Sequence, residues 1–240
     1  MPALFVELDL ALKDVAIGHL IQRGFAPDEY YANISGFNLP GFQNHDIWSF
    51  WAPAGTKLRP LLEIPGILYV EPNEEHNWAR GLRWRDEEPF GTKFMALPPV
   101  ETGPEVAMRS ALPEMLAMCR FPAAWEISRG AGAIIAIDDS GINAWRLPDS
   151  AKAGGWATDG SDPWLDSFGH GTMVALITHA AAPDALIFSA KLSVGPNGGM
   201  TKKSVVSVVD FLIPIIQDNP ATQFVLNSSW ASDCGKQPYH

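Results

Sequence analysis

Two short stretches of this sequence hold residue types that could do chemistry together. The apolar run Ala133 to Ile137 ends in Asp138-Asp139-Ser140-Gly141, and Phe168-Gly169-His170-Gly171-Thr172 follows further along the chain. The first places a carboxylate at the carboxyl end of a strand buried on both faces. The second places an imidazole at the start of a helix. In open α/β sheets, ligand-binding and catalytic groups gather beyond the carboxyl ends of the strands, so both groups are expected at one edge. There a carboxylate can orient an imidazole and fix its tautomer, and the imidazole can accept a proton from a nucleophile. Glycines on both sides of His170 carry no Cβ and let backbone or substrate come close.

Each signal is weak by itself. Asp-Ser-Gly is usually a turn, and Gly-His-Gly-Thr alone is ambiguous. Their occurrence together, in this order and context, is what points to a site. His179 lies further along the same helical stretch with no motif around it, and reads as a packed or surface histidine.

The elements that must position these residues follow from periodicity. From Phe121 onward, strands alternate with helices: a strand at Ala133 to Ile137, a helix at Gly171 to Ala180 and a strand at Ala185 to Leu192. An apolar helix, Ser204 to Asp218, follows and is interrupted by Pro214; Gln223 to Ser229 is another strand. Such alternation predicts βαβ units and a parallel sheet. The first 75 residues read differently. A strand at residues 3–9, a helix from Leu12 to Arg23 and strands at Tyr30 to Phe37 and Ile47 to Ala52 lead to a short helix, Thr56 to Glu63, and a last strand, Ile67 to Pro72. This β-α-β-β-α-β order is the split βαβ arrangement of small two-layer domains. Residues 76–120 show no sustained period until Val106 to Cys119, and read as a connector with one short helix.

Composition narrows the functional classes. With 47% hydrophobic and 18% charged residues, the chain can bury a core. Its formal charge of −10 is diffuse, without a basic stripe. That argues against a nucleic-acid binder, which needs clustered Lys and Arg to neutralise phosphates. Cys119 and Cys234 form no metal-ligand spacing and no disulfide framework; two buried free thiols are expected, with a bridge between them as the alternative. The amino terminus lacks the basic start of a secretory signal, and no apolar run reaches the ~20 residues that a membrane helix requires. A soluble, cytoplasmic chain is therefore expected, with no membrane partner.

The chain resembles the subtilases, the subtilisin-like serine peptidases. The likeness runs from Ala124-Trp125 and Gly130-Ala131-Gly132 through Ile134 to Ile142 and Pro148-Asp149. It continues through Gly169-His170-Gly171-Thr172 and Val174-Ala175, then Ala182 to Ala185 and Lys191-Leu192, and ends at Val225 to Trp230. The resemblance implies an α/β fold, an incomplete doubly wound parallel sheet of subtilisin type, preceded by a small α+β ferredoxin-like propeptide domain. Residues 1–75 would be that propeptide-inhibitor-like domain, 76–120 the connector and 121–240 the amino-terminal half of the catalytic domain. In that family the propeptide packs on the catalytic domain, assists its folding and leaves its tail in the active site; cleavage would fall at Glu74 to Trp78.

By the same resemblance Asp139 is the triad acid and His170 the general base. Asp138 stands where the family has an apolar residue and is the alternative acid, although alignment on Ser140-Gly141 favours Asp139. Ser229, Trp230 and Ala231 correspond to the strand edge that pairs with extended substrate, and Ala231 stands where the family usually has glycine. No metal and no cofactor are expected; Asp149 is at most a remnant of a calcium site. The partner implied is a protein or peptide substrate.

The family's oxyanion asparagine and its Gly-Thr-Ser-Met-Ala-type nucleophile motif are not found in residues 1–240. In a subtilisin, loss of the serine costs on the order of 10⁶-fold in turnover, so the chain alone is expected to be inactive. A sheet missing half its strands is also expected to leave an unpaired edge. The favoured reading is part of a serine endopeptidase. The alternatives are a pseudopeptidase or propeptide-type inhibitor that binds peptides or a true subtilase, and one half of a two-chain enzyme completed by a carboxyl-terminal complementary chain.

Overall fold

The computed structural model describes residues 3–35, 45–73, 75–77, 112–192 and 199–230. They form two compact units: Met1–His76 together with Thr201–Asp218, and Asn77–Met200 together with Asn219–His240. The chain has mixed α/β content, with an antiparallel sheet in the first unit and a parallel sheet in the second. Among the described residues, no helix is long and apolar enough to cross a membrane.

In the first unit, strands β1 (Ala3–Asp9), β2 (Ala26–Tyr30), β3 (His45–Trp51) and β4 (Ile67–Pro72) lie in the order β2-β3-β1-β4, every pair antiparallel. Alternation along β1 sends Leu4, Val6 and Leu8 to one face, where they meet Ala16 and Leu20 of the helix Lys13–Gln22 in the core. Fully burying each such side chain is worth about 1.5–3 kcal/mol. Two expectations shift here. The strand placed at Tyr30 to Phe37 is instead Ala26–Tyr30, followed by a helical turn at Ala32–Ser35; Phe37 itself lies outside the described residues. The run Pro27-Asp28-Glu29 hid it, since these residues are poor strand formers. Pro27 is tolerated because β2 is an edge strand with a register shift between Pro27 and Glu29. The helix expected at Thr56 to Glu63 is a single 3₁₀ turn, Arg59–Leu61, with Pro60 at its start.

The same unit holds the helix Lys202–Asp218, which runs unbroken through Pro214. Proline has no N–H to give the carbonyl four residues before it. That carbonyl belongs to Asp210, and the Asn33 side-chain amide donates to it at 3.0 Å. The Asp210 carboxylate accepts in addition from the backbone N–H groups of Asn33 and Ile34, both at 2.9 Å. At the other end of the helix, the Lys203 ammonium donates to Asp28 at 2.7 Å and pairs with Glu29 at 3.1 Å. Partial burial opposes the charge on Asp28, but Lys203 and the Ser49 hydroxyl hold its carboxyl below the usual range.

Strand β5 (Glu75–Asn77) follows β4. The second unit is then built on β6 (Ala133–Asp139), β7 (Lys152–Ala157) and β8 (Leu186–Lys191), with β9 (Gly199–Thr201) preceding the helix Lys202–Asp218 and β10 (Gln223–Asn227) following it. The sheet order is β10-β6-β8-β7, and all three pairings are parallel. β7 had no sequence signal, because Gly154 and Gly155 depress its strand propensity. The helix His170–Ala181 covers one face, burying Ala175 against Ile137, Ile142, Leu147 and Ile187. A short helix at residues 112–118 leads to Cys119, which is exposed rather than buried as expected; Cys234 lies outside the described residues. None of residues 112–120 is buried, so nothing in this stretch draws the thiol out of solvent.

Candidate active site

The site forms at the carboxyl end of the parallel sheet. Successive residues of a strand point to opposite faces, so Asp138 and Asp139, the last two of β6, diverge. Asp139 turns toward the helix His170–Ala181 and is 2% exposed. Both of its carboxylate oxygens lie 2.9 Å from Nδ1 of His170. A carboxylate can only accept, so Nδ1 donates the proton of this bond, and in the neutral imidazole Nε2 is then the ring's acceptor. The His170 side chain is 21% exposed against 1% for Asp139. A buried acid thus orients an imidazole that solvent can reach, which is the arrangement a general base requires.

Two glycines make this approach possible, each for its own reason. A Cβ on Gly171 would sit 2.3 Å from the Gly141 carbonyl oxygen and 3.1 Å from the Asp139 side chain. Only a residue without one lets the helix start press against the end of β6. Gly169, just before the helix, has φ 93°, a left-handed conformation that other residues adopt at a cost.

A polar network around Asp166 welds the two motifs together. Its Oδ1 accepts from the Ser140 hydroxyl at 2.9 Å and from the backbone N–H of Phe168 and Gly169 at 3.0 and 2.7 Å. Its Oδ2 accepts from the Thr172 N–H and hydroxyl at 2.9 and 2.6 Å. The Ser140 hydroxyl in turn accepts from the Gly171 N–H at 3.0 Å. Asn143 donates its N–H to Thr172 Oγ1 at 3.0 Å and its side-chain amide to the Asp166 carbonyl at 3.2 Å. Sequence reading missed Asp166 and Asn143. A signal existed for Asp166: an aspartate shortly before a helix start satisfies N–H groups that the helix leaves unbonded.

Asp138 faces away from His170 and is fully buried. Its Oδ2 accepts from the Ser228 hydroxyl at 3.0 Å and the Trp230 indole N–H at 3.2 Å. Its Oδ1 has no hydrogen-bond partner among the described residues. Burial pushes its carboxyl up to about 7, the neighbouring Asp139 charge pushes the same way, and the Ser228 and Trp230 bonds restrain the rise.

The other expected positions scatter. Ser229 is exposed beyond β10, its hydroxyl donating to the Asn227 side chain at 2.7 Å, while Trp230 is tied to Asp138 and Ala231 lies outside the described residues. Asp149 is ion-paired with Lys152 at 2.7 Å. His179 keeps a buried Nδ1 without a partner among the described residues, near the end of the helix that His170 begins. Strand β10 is an edge strand of the parallel sheet, paired with β6, and Val225 and Leu226 are exposed.

Comparison with known proteins adds one local likeness. Over 59 residues the chain is 46% identical to Mycosin-3 of Mycobacterium tuberculosis; the matched stretch is 24% of this chain and 13% of Mycosin-3. The chain therefore matches only a small part of that protein's length. No family model matches the chain.

Proposed function

We propose that this chain carries the acid and base of a subtilisin-like serine endopeptidase. The observation that carries the reading is the pairing of Asp139 with His170 Nδ1 at 2.9 Å, at the carboxyl edge of a parallel sheet. The local identity to Mycosin-3 supports a subtilase relationship at the family level. In this reading residues 1–75 are a propeptide-inhibitor-like domain, 76–120 a connector and 121–240 half of a catalytic domain of subtilisin type.

The chemistry assigned to these residues is proton transfer. His170 Nε2 takes the proton of a serine hydroxyl as its oxygen bonds to the substrate carbonyl carbon. It then gives that proton to the leaving amine as the C–N bond breaks, and water repeats the cycle to release the acyl group. Asp139 remains ionised throughout, keeping Nδ1 protonated and stabilising the imidazolium as it forms. In this reading no serine of residues 1–240 is the nucleophile, and a segment bearing one, on the same or a separate polypeptide, completes the triad. Ser229 and Trp230 border the path of an extended peptide substrate.

Activity-based labelling tests this. The purified 240-residue chain should stay unlabelled by a fluorophosphonate. Supplied with a polypeptide bearing a Gly-Thr-Ser-type nucleophile segment, covalently continuous or separate, it should support labelling of that segment's serine, and His170→Ala should abolish it. Labelling of one of the chain's own serines would sink the reading, as would labelling of the added serine that is indifferent to His170.

A further inference from the structure

We propose that Asp138 is a positioning residue: it ties the segment Ser228–Trp230 to the catalytic strand, so that the peptide-facing edge is held in step with the Asp139–His170 pair. The inference rests on the proposed function for the meaning of that edge, but the tie itself rests on geometry alone. Asp138 and Asp139 are consecutive and face opposite sides of β6. One carboxylate aims the imidazole; the other receives two side-chain donors of the segment leaving β10, Ser228 at 3.0 Å and Trp230 at 3.2 Å, on one oxygen. Ile137 pairs with Asn227, so the segment leaves β10 directly beside Asp138. A one-residue slip of the edge would break both bonds.

A carboxylate at this position is costly, and the cost is part of the argument. The residue is 0% exposed, and its second oxygen has no partner among the described residues. An apolar side chain would suit the space better, so the acid is explained by the two bonds it makes. Among the described residues, Ser228 and Trp230 bond it from beyond β10 and Ala190 is its partner in β8, while Asp139, the next residue of its own strand, points to the other face. Asp139 bears the nearest negative charge and disfavours ionisation of Asp138. The ionised form makes the stronger, charge-assisted bonds, so the tie tightens on deprotonation and loosens on protonation.

The test follows the Trp230 indole N–H by ¹⁵N NMR in the full chain, assigned by its loss in Trp230→Phe. In the unmodified chain this resonance should titrate with a midpoint near pH 7, where burial places the Asp138 carboxyl. Asp138→Asn should keep the bonded position and abolish the titration, while Asp138→Leu should move the resonance to that of an unbonded indole. Ser228→Ala, which leaves the carboxyl in place, should shift the midpoint upward by removing one stabilising donor. An indole signal identical in Asp138→Leu and the unmodified chain would overturn the inference, as would a titration that survives in Asp138→Asn. Anisotropy of a fluorescein-labelled extended peptide is read on the same samples. If the unmodified chain binds it, Asp138→Leu should weaken binding about 10-fold and Asp138→Asn should restore most of it; equal binding by all three would count against the inference. If the peptide does not bind yet the indole behaves as stated, Asp138 keeps its positioning role and the substrate reading of the edge falls.

Discussion

The side-chain amide of Asn33 bonds the carbonyl of Asp210 at 3.0 Å, filling the hydrogen-bond position that Pro214 leaves empty in the helix Lys202–Asp218. A proline that reads as a helix break in the sequence is carried inside a continuous helix because another segment of the same unit supplies the missing donor. The Asp210 carboxylate returns the favour, accepting two backbone N–H groups from residues 33 and 34.

This exchange predicts coupling between Asn33 and Pro214. Asn33→Ala should destabilise the chain by about 0.5–1.5 kcal/mol, because it removes the donor to the Asp210 carbonyl and one donor to the Asp210 carboxylate. In a Pro214→Ala background the helix can satisfy the carbonyl itself, so the same substitution should cost less. Urea unfolding of the four variants measures the difference, and a coupling of zero would show that the Asn33 bond does not depend on the proline.

Gly171→Ala should displace the helix start that carries His170. Its Cβ would lie 2.3 Å from a backbone oxygen at Gly141, and backbone cannot swing aside as a side chain can. Overpacking of this kind costs about 1–3 kcal/mol or more. Thermal unfolding should register the loss, and the low-field Nδ1–H resonance of His170, a signature of its bond to Asp139, should weaken or disappear. An unchanged resonance in a fully folded variant would mean that the two motifs do not need this contact.

Asp138 predicts an unusual slope of stability with pH. Its ordinary value of 3.8 is raised in the folded state to about 7. Folded chain therefore holds a proton that unfolded chain has released, and the stabilisation is fully present below about pH 4. It is lost as pH rises toward 7 and stays lost above that. At about 1.4 kcal/mol per unit, the loss is on the order of 4 kcal/mol. The stability of the unmodified chain minus that of Asp138→Asn should accordingly fall between pH 4 and 7 and then level off. Chemical denaturation at a series of pH values reads this directly, and a difference that stays flat or rises would show that Asp138 is ionised in the folded chain throughout.

The two motifs were legible because their signals are local. A β-strand that ends in acids, and a glycine-flanked histidine opening a helix, each say where their side chains must emerge. Parallel-sheet order then brings both to one edge. Expectations failed where local preference was overruled or mute. The strand at Ala26–Tyr30 is held by the stacking of Tyr30 on Trp48 at 4.7 Å and by its pairing with β3, not by the propensity of Pro27, Asp28 and Glu29. Strand β7 forms around two glycines because β8 offers it a ladder.

Sequence alone thus determined the residue types and the strand-and-helix order that put Asp139 and His170 within reach of each other, since periodicity and turn chemistry act over a few neighbours. Sequence likeness favoured Asp139 over Asp138 as the partner of the imidazole, and the tertiary structure gives the contact its geometry, 2.9 Å from Nδ1. Only the tertiary structure decided that Asp166 anchors both motifs and that Asp138 holds Ser228 and Trp230. Those outcomes depend on which face of β6 each side chain takes and on what distant segments are packed against that face. Burial and long-range hydrogen bonding exist only once the chain has folded, and no window of sequence contains them.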